Sequence, residues 1–192
     1  MGKAHSHKVC PVELAGSLDS SLRRKFQNPA KILKPFIKPG DKVLDFGCGP
    51  GFFTFDIAQL VGDSGLVYAA DLQEGMLEIV KSKIEELNLS GRIKVHKCDE
   101  SAINLNDSVD FVLAFYMIHE LANQDDTFSE LNGILKPHGR LLIIEPNFHV
   151  TKRDFQNMII RLEKAGFKTI KKSKSFFNRS VLVQKDNYSA TT

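Results

Sequence analysis

Three glycines and an aspartate lie close together near residue 50, in an order that suits the binding of a small ligand. Asp45 comes two residues before Gly47, and Gly49 and Gly51 follow at every second position. Glycine permits a tight turn and lets the backbone approach a ligand closely. Apolar residues before Asp45 predict a buried strand, and helical spacing after Gly51 predicts a helix whose free N–H groups point at the ligand. The segment therefore predicts a binding turn between a strand and a helix.

A second carboxylate follows a second apolar segment. Asp71 comes directly after residues 66–70. At this position a carboxylate can accept both hydroxyls of a ribose in a paired, charge-assisted contact. Asp71 and Glu74 also satisfy a helix capping box, and the two roles are compatible. Leu72 is then placed to cover one face of an adenine.

Two classes of nucleotide cofactor use a glycine turn of this kind. The dinucleotide fingerprint GxGxxG would require a third glycine at Phe52, so the chain does not fit it. Residues 43–51, VLDFGCGPG, instead resemble motif I of the class I methyltransferases that depend on S-adenosylmethionine (SAM). That resemblance implies that Asp45 orients the loop and meets the methionine ammonium of SAM, directly or through water.

The resemblance covers about residues 40 to 150. The local sequence pattern of this region is similar to that of the ubiquinone and menaquinone C-methyltransferases. Residues 134–141 resemble the "LKPGG-L" segment of that group, with His138 in place of its first glycine and Gly139 in place of its second. Because the superfamily has many acceptors, the match implies a fold and a cofactor but not a substrate.

The same resemblance selects further cofactor residues. It implies that an acid after the third strand, here Asp99 with the adjoining Glu100, accepts the adenine amino group, and that Phe115 lies beside the methionyl part of SAM. The alternatives are a polar loop residue at Asp99 and an ordinary core aromatic at Phe115.

Candidates for an acceptor-side base follow the fourth strand. His119 is the first choice because its side chain titrates near neutrality, and Tyr116 is placed to orient the acceptor. Glu120 either orients His119 or lies in solvent. The alternative is that His119 and Glu120 only begin the next helix and that Tyr116 is a half-buried core residue. A base is needed only if the acceptor must lose a proton.

The elements that position these residues alternate along the chain from about residue 42. Apolar strands separated by helices predict a parallel sheet covered on both faces, and two closing strands without a helix between them predict an antiparallel edge. We therefore expect an α/β, Rossmann-like three-layer sandwich with a seven-stranded, mostly parallel sheet whose last strand is antiparallel. The expected strands are 42–46, 66–70, 92–97, 109–115, 140–144, 167–172 and 176–184.

The first forty residues lack this alternation, and three prolines limit the helices there. We predict one domain over residues 1–192, made of an N-terminal helical lid segment (1–38) and a Rossmann-like core (39–192). Because little chain remains for a separate acceptor-binding element, we expect the lid to form much of the acceptor pocket and to close over the cofactor. Its expected pocket residues are Arg24, Phe26, Gln27 and Asn28.

Composition limits the class of protein. Hydrophobic residues make up 42% and charged residues 26% of the chain, as in ordinary globular proteins. The chain has no apolar run of the roughly 18 residues that cross a bilayer and no apolar secretory signal at its start, so we expect a cytoplasmic protein. Its three cysteines form no CxxC pair, which fits a reducing compartment. His5, His7 and Cys10 lack a fourth ligand, and we expect no metal site.

Basic residues cluster at 23–25 and again at Lys168, Lys171, Lys172 and Lys174. One interpretation is a solvated surface, and the other is a site for an anionic substrate or RNA near one edge of the sheet. We expect SAM as cofactor, S-adenosylhomocysteine as its product and a small-molecule methyl acceptor. The alternatives are methylation of RNA or protein, and a non-catalytic SAM-binding protein. The sequence does not specify an oligomeric state.

Overall fold

A computed structural model of the chain describes residues 27–186, in which strands and helices alternate. The strands are β1 (Lys42–Phe46), β2 (Leu66–Asp71), β3 (Ile93–Lys97), β4 (Val109–Phe115), β5 (Leu135–Pro146), β6 (Phe167–Lys174) and β7 (Asn178–Lys185). The α-helices are α1 (Pro29–Leu33), α2 (Thr54–Val61), α3 (Glu74–Glu86), α4 (Gln124–Ile134) and α5 (Lys152–Lys164), and a 3-10 helix covers Ile118–Glu120.

The strands form one sheet in the order β3-β2-β1-β4-β5-β7-β6. Neighbouring strands from β3 to β5 pair in parallel, whereas β7 lies antiparallel between β5 and β6. The strand order reverses at β1, which pairs with β2 on one side and with β4 on the other. Ligands of open α/β sheets bind at the carboxyl ends of the strands at such a switch point. The predicted fold class is therefore confirmed, with the last strand antiparallel.

Alternate residues of the central strand face opposite layers because side chains alternate along a strand. Leu44 and Phe46 pack in the buried cluster that holds the apolar residues of α4 and α5. Val43 packs in the cluster that holds those of α1, α2 and α3. Burial of both faces explains why the central strands are continuous apolar runs, as the sequence indicated.

Two helices begin later than the sequence predicts. The helix expected at about Gly51 begins at Thr54. The capping-box interpretation of Asp71 and Glu74 is wrong, because Gln73 occupies the N-cap position of α3 and makes no side-chain capping bond. The Asp71 carboxylate instead accepts hydrogen bonds from two backbone N–H groups of the binding loops. A contact to the glycine turn across 22 residues and a local bond from Gln73 thus occupy the carboxylate that was predicted to cap the helix.

The first residues of β5, which begins at Leu135 and therefore before the predicted strand 140–144, explain the glycines of the resembled pattern. His138, which stands where that pattern has its first glycine, has a φ of 64°, in the left-handed region that favours glycine. A Cβ on Gly139 would lie 2.8 Å from the carbonyl oxygen of Lys136, so the second position has no room for a side chain. The chain therefore differs from the resembled pattern at residue 138, where only the backbone dihedral favours glycine. It has the glycine of that pattern at residue 139, where there is no room for a side chain.

Most of the predicted lid lies outside the described residues, including Arg24 and Phe26. At its end, the Asn28 side chain accepts a hydrogen bond from the backbone N–H of Lys31 at 2.9 Å and so caps α1. Gln27 contacts the site from this side, as described below. His5, His7 and Cys10 also lie outside the described residues. Across residues 27–186, no helix combines the length and apolarity that a membrane span requires.

Candidate functional site

The carboxyl ends of β1, β2 and β4 surround a cavity of about 370 Å³. This volume lies within the range of small-ligand sites in proteins. Most of the predicted cofactor residues line it, namely Asp45, Gly47, Gly49, Asp71, Leu72, Asp99, Glu100 and Phe115. Gly51 does not contribute to the wall. The tertiary structure thus brings together side chains that are separated by as many as 70 residues in the sequence.

The glycine turn has two structural glycines and one that faces open space. All three have positive φ, at 73° for Gly47, 54° for Gly49 and 91° for Gly51. A Cβ on Gly51 would lie 2.6 Å from the Phe55 ring, and one on Gly47 would lie 2.8 Å from the Met117 side chain. A Cβ on Gly49 would meet no atom within 4 Å. At Gly49 the bare backbone therefore leaves room for a ligand to approach.

Asp71 connects two loops at the floor of the cavity. Its carboxylate accepts from the backbone N–H of Gly49 and from that of Gln73, both at 2.9 Å, and the residue is buried. Burial raises the pKa of Asp71, and backbone hydrogen bonds from Gln73, Gly49 and Leu72 together with the charge of Lys97 lower it in part. Because an ionised carboxylate offers about four acceptor positions, Asp71 retains acceptor capacity for a ligand hydroxyl.

Asp45 is a buried carboxylate with one side-chain partner. The hydroxyl of Thr54 donates to it at 2.6 Å. Burial raises its pKa to about 7; the Thr54 hydrogen bond lowers the pKa and the nearby charge of Asp71 raises it. Thr54 was not predicted from the sequence, although a polar residue within the apolar run 52–55 was a usable signal. A carboxylate of this kind is available to an approaching cation.

The wall of the cavity is acidic. Within the part of the chain that the structure describes, it contains five carboxylates and no lysine, arginine or histidine, the acids being Asp45, Asp71, Asp99, Glu100 and Glu120. A pyrophosphate would face like charges here, whereas a cationic ligand would face opposite charges. The charge of the wall therefore disfavours a dinucleotide and fits a ligand with ammonium and sulfonium groups.

Apolar side chains complete the wall. The Phe53 and Phe115 rings pack 4.6 Å apart between centroids, and Tyr116 stacks on Phe115 at 4.1 Å. On the other side, Asp99 accepts a hydrogen bond from the Asn104 side chain at 2.6 Å, which folds the loop after β3 on itself. These surfaces suit a flat aromatic base and a thioether chain better than a fully hydrated ligand.

Tyr116 lines the cavity on the side of β7, which we call the mouth of the cavity, and its side chain is held by two hydrogen bonds. Its hydroxyl donates to the Asn178 side chain at the start of β7 and accepts from the Gln27 side-chain amide at 3.2 Å. Its φ of 59° is unusual for a non-glycine residue and turns the chain sharply out of β4. The residue that was predicted to orient the acceptor is therefore fixed by the last strand and by Gln27 of the predicted lid segment.

His119 does not line the cavity, although the neighbouring Glu120 does. The His119 ring lies beside Glu145, with Nδ1 2.5 Å from a carboxylate oxygen, and stacks on His149 at 5.5 Å. The other oxygen of Glu145 accepts from the backbone N–H of Ile118 at 3.0 Å. Burial lowers the pKa of His119, but the hydrogen bond and charge of Glu145, together with Glu120, outweigh it and raise the pKa above 6.5.

Glu145 was not predicted from the sequence. It is 1% exposed and lies at the end of β5, after four apolar residues. Buried carboxylates are rare unless they are paired, and this one bonds the element that carries the candidate base. An acid inside an apolar strand was the available signal, but its partner is 26 residues away in sequence.

Comparisons with known proteins agree with this geometry. A family model described as a methyltransferase domain matches residues 37–189. The ubiquinone/menaquinone biosynthesis C-methyltransferase UbiE of Teredinibacter turnerae is 32% identical over 110 residues, which are 57% of this chain and 44% of that protein. UbiE of Pasteurella multocida is 32% identical over 57% of this chain and 41% of its own. The chain thus spans less than half the length of these relatives.

A solved structure is similar over nearly the whole chain. The crystal structure of a SAM-dependent methyltransferase from Aquifex aeolicus matches with a TM-score of 0.83 and 29% identity, covering 92% of this chain and 99% of that one. The family model, which matches residues 37–189, also includes both the glycine turn and the antiparallel last strand.

Proposed function

This chain belongs to the methyltransferase domain family and is a class I SAM-dependent methyltransferase, and from that premise we propose that it methylates a small-molecule acceptor. The acidic wall beside a bare glycine turn is the observation that carries the assignment of the cavity to SAM. When bound, SAM supplies a methyl group that its own sulfonium has already activated. The protein then has to hold the acceptor in line with that group and exclude water.

The roles of the cofactor residues in this proposal follow their positions in the wall. Asp71 accepts the ribose hydroxyls, Asp45 meets the methionine ammonium, and Asp99 with Glu100 receives the adenine amino group. Leu72 covers the adenine. The remaining proposed contacts are Phe115 beside the methionyl chain and the turn of Gly47, Gly49 and Gly51, in which Gly51 acts by permitting the turn rather than by contact.

A small, partly apolar acceptor is supported by the mouth of the cavity and by the relatives. The rings of Phe53, Phe115 and Tyr116 lie on one side of the wall. Two relatives reported above are named for biosynthesis of ubiquinone and menaquinone, which suggests an acceptor of quinone type. The wall carries none of the lysines of the β6 cluster, so charge gives no support to RNA as the acceptor. We keep the cytoplasmic location and the one-domain organisation as predictions.

Methyl transfer to a metabolite is tested with isotope-labelled SAM and a small-molecule extract. We expect label in a product that resists RNase and protease. RNase-sensitive or protease-sensitive label would instead identify a macromolecular acceptor. Binding of S-adenosylhomocysteine in calorimetry without any labelled product from extracts would favour the non-catalytic alternative. A sample with Asp71→Ala is the control with reduced labelling, since this variant should bind the cofactor about 100-fold more weakly.

We propose that His119 takes a proton from the acceptor and that Glu145 is its positioning residue. Because His119 lies outside the cavity wall, the acceptor must extend from the cavity toward the 118–120 turn. The base acts as neutral imidazole, so activity should fall as pH drops through the raised pKa of His119. Tyr116 orients the acceptor, and Glu120 faces it from the wall.

Replacing His119 by alanine should lower kcat by about 100-fold, the lower end for general base catalysis, and leave the Kd of S-adenosylhomocysteine unchanged. Glu145→Gln should move the acid limb of the pH–rate profile to lower pH, because it removes the main group that raises the His119 pKa. An NMR titration of the His119 ring measures that shift without an acceptor. His138→Gly, at the opposite end of β5, is the control. A wild-type kcat in His119→Ala would exclude His119 as the base.

A further inference from the structure

Three phenylalanine side chains are exposed together at one end of the sheet. Phe148, Phe176 and Phe177 are 71%, 88% and 59% exposed. The backbone N–H of Asn147 donates to the Phe177 carbonyl at 2.8 Å, and the Asn147 side chain donates to the Phe176 carbonyl at 2.9 Å. These bonds join the segment after β5 to the β6–β7 turn. We call the three rings the aromatic tip, a concentration of exposed apolar surface that marks interaction sites.

The aromatic tip adjoins the mouth of the cavity. The Phe148 ring lies 4.8 Å from the ring of His149, which stacks on His119. Next to Phe177, Asn178 accepts the hydrogen bond of the Tyr116 hydroxyl. Any surface that covers the tip therefore also lies close to the place where the acceptor enters.

Cations flank the aromatic tip. A groove of about 370 Å³ between α5 and the β6–β7 pair is lined by Lys152, Lys172, Lys174 and Arg179, and we call it the basic groove. Lys174 lies two residues before Phe176. Among the ion pairs of residues 27–186, none involves these three lysines. Within residues 27–186, the positive charges of these three lysines are therefore not neutralised by an ion pair. Two of them, Lys172 and Lys174, belong to the second basic cluster found in the sequence.

We propose that the aromatic tip and the basic groove dock the enzyme on an anionic lipid membrane. Interfacial binding has two features. Apolar rings are buried in the headgroup region, and neighbouring lysines contact the anionic headgroups. This inference concerns residues outside the cofactor cavity and holds whichever acceptor is methylated. If the acceptor is of quinone type, as proposed above, docking brings the mouth of the cavity to the membrane surface. The acceptor would leave the bilayer at that surface.

The observations favour a lipid over a nucleic acid. Phe176 and Phe177 pack edge to face at 82°, whereas base stacking uses parallel, open ring faces. Three of the four groove cations are lysines, and the guanidinium of Arg179 already donates to the Val150 carbonyl at 2.5 Å. A compact ammonium binds a phosphate as a point charge and needs no planar recognition. An apolar tip beside point charges therefore matches a headgroup layer.

Flotation of the full chain with vesicles tests the proposal. We expect binding to vesicles of phosphatidylcholine mixed with phosphatidylglycerol, weaker binding to phosphatidylcholine alone, and release as salt is raised. The double substitution Phe176→Ser with Phe177→Ser should lower the partition coefficient between vesicles and water by about tenfold. This is less than full burial of two phenylalanine rings would give, because the rings enter only the headgroup region. Lys172→Glu with Lys174→Glu should lower binding to the anionic vesicles by a similar factor.

Matched controls lie at the opposite end of the strands. Leu87 is 52% exposed at the end of α3, and Lys34 is exposed at the end of α1, so Leu87→Ser and Lys34→Glu should bind vesicles as the wild type does. All variants should keep their thermal unfolding temperature and their affinity for S-adenosylhomocysteine, which separates loss of docking from failure of the cofactor site.

Three outcomes would overturn membrane docking. The first is a wild-type chain that does not float with anionic vesicles, and the second is an equal loss of binding in the control variants. The third is a different occupant of the same surface. RNA binding that the tip and groove variants abolish would assign the surface to RNA, and a dimer in sedimentation that Phe176→Ser with Phe177→Ser dissociates would assign it to a second copy of the chain.

Discussion

Replacing Asp71 by alanine is expected to weaken binding of S-adenosylhomocysteine by about 100-fold or more. Each charge-assisted hydrogen bond to the ribose is worth about 1.5–3 kcal/mol, and a tenfold change in Kd corresponds to about 1.4 kcal/mol. The substitution also leaves the backbone N–H groups of Gly49 and Gln73 without their shared acceptor. Calorimetric titration measures the loss directly and does not require the acceptor.

Two further variants define what the Asp71 result means. Asp71→Asn keeps an oxygen acceptor and the size of the side chain but removes the charge, so its affinity should lie between the wild type and Asp71→Ala. Asp63→Ala removes a 91% exposed carboxylate that pairs with Arg92 and should bind as the wild type does. Unchanged affinity in a folded Asp71→Ala protein would remove the ribose role and the orientation of the cofactor that depends on it.

The affinity for SAM is expected to fall by about tenfold for each pH unit below 7. A cationic ligand prefers the carboxylate form of Asp45, and burial raises the pKa of this residue to about 7. Below that pH, Asp45 must therefore release a proton before it can bind the ammonium group of SAM. Asp71 and Glu120 also face the cavity and have raised pKa values, which can only steepen the dependence. Calorimetry between pH 8 and 5.5 in buffers of different ionisation enthalpy measures both the affinity and the released proton.

Asp45→Asn should change binding and stability in opposite directions. Binding at pH 8 should weaken and lose most of its pH dependence, because the titrating charge is gone. Without ligand, the folded state holds a proton on Asp45 more tightly than the unfolded chain, whose pKa is near 3.8, so stability falls as pH rises from 4 to 7. The variant should therefore be more stable than the wild type at pH 8, by on the order of 3 kcal/mol.

A thermal unfolding series from pH 5 to 8 checks this second effect. The wild-type protein should lose stability across the series more steeply than Asp45→Asn. Equal slopes for the two proteins, or a variant that is less stable at pH 8, would contradict a buried, proton-binding Asp45. Thr54→Ser retains the hydroxyl that donates to Asp45 and should follow the wild-type slope, which makes it the matched control.

The sequence by itself determined the features that are encoded within short segments. The apolar runs of the central strands, the spacing of the helices and the absence of a helix between β6 and β7 led to the confirmed fold. The glycine turn and its aspartate occupy seven consecutive residues, 45–51, so their relation did not depend on the rest of the chain. The pattern of residue types was sufficient there because each conformational requirement, such as a left-handed φ, acts on a single residue.

Only the tertiary structure decided which distant residues meet. It placed Asp71 against Gly49 instead of at a helix cap, and it put His119 beside Glu145 outside the cavity wall. It also joined Tyr116 to Asn178 at the start of the last strand. These contacts bridge 22 to 62 residues and follow from the strand order, which no local periodicity specifies. The charge of a cavity is likewise a sum over several loops, and it exists only once the sheet has brought their ends together.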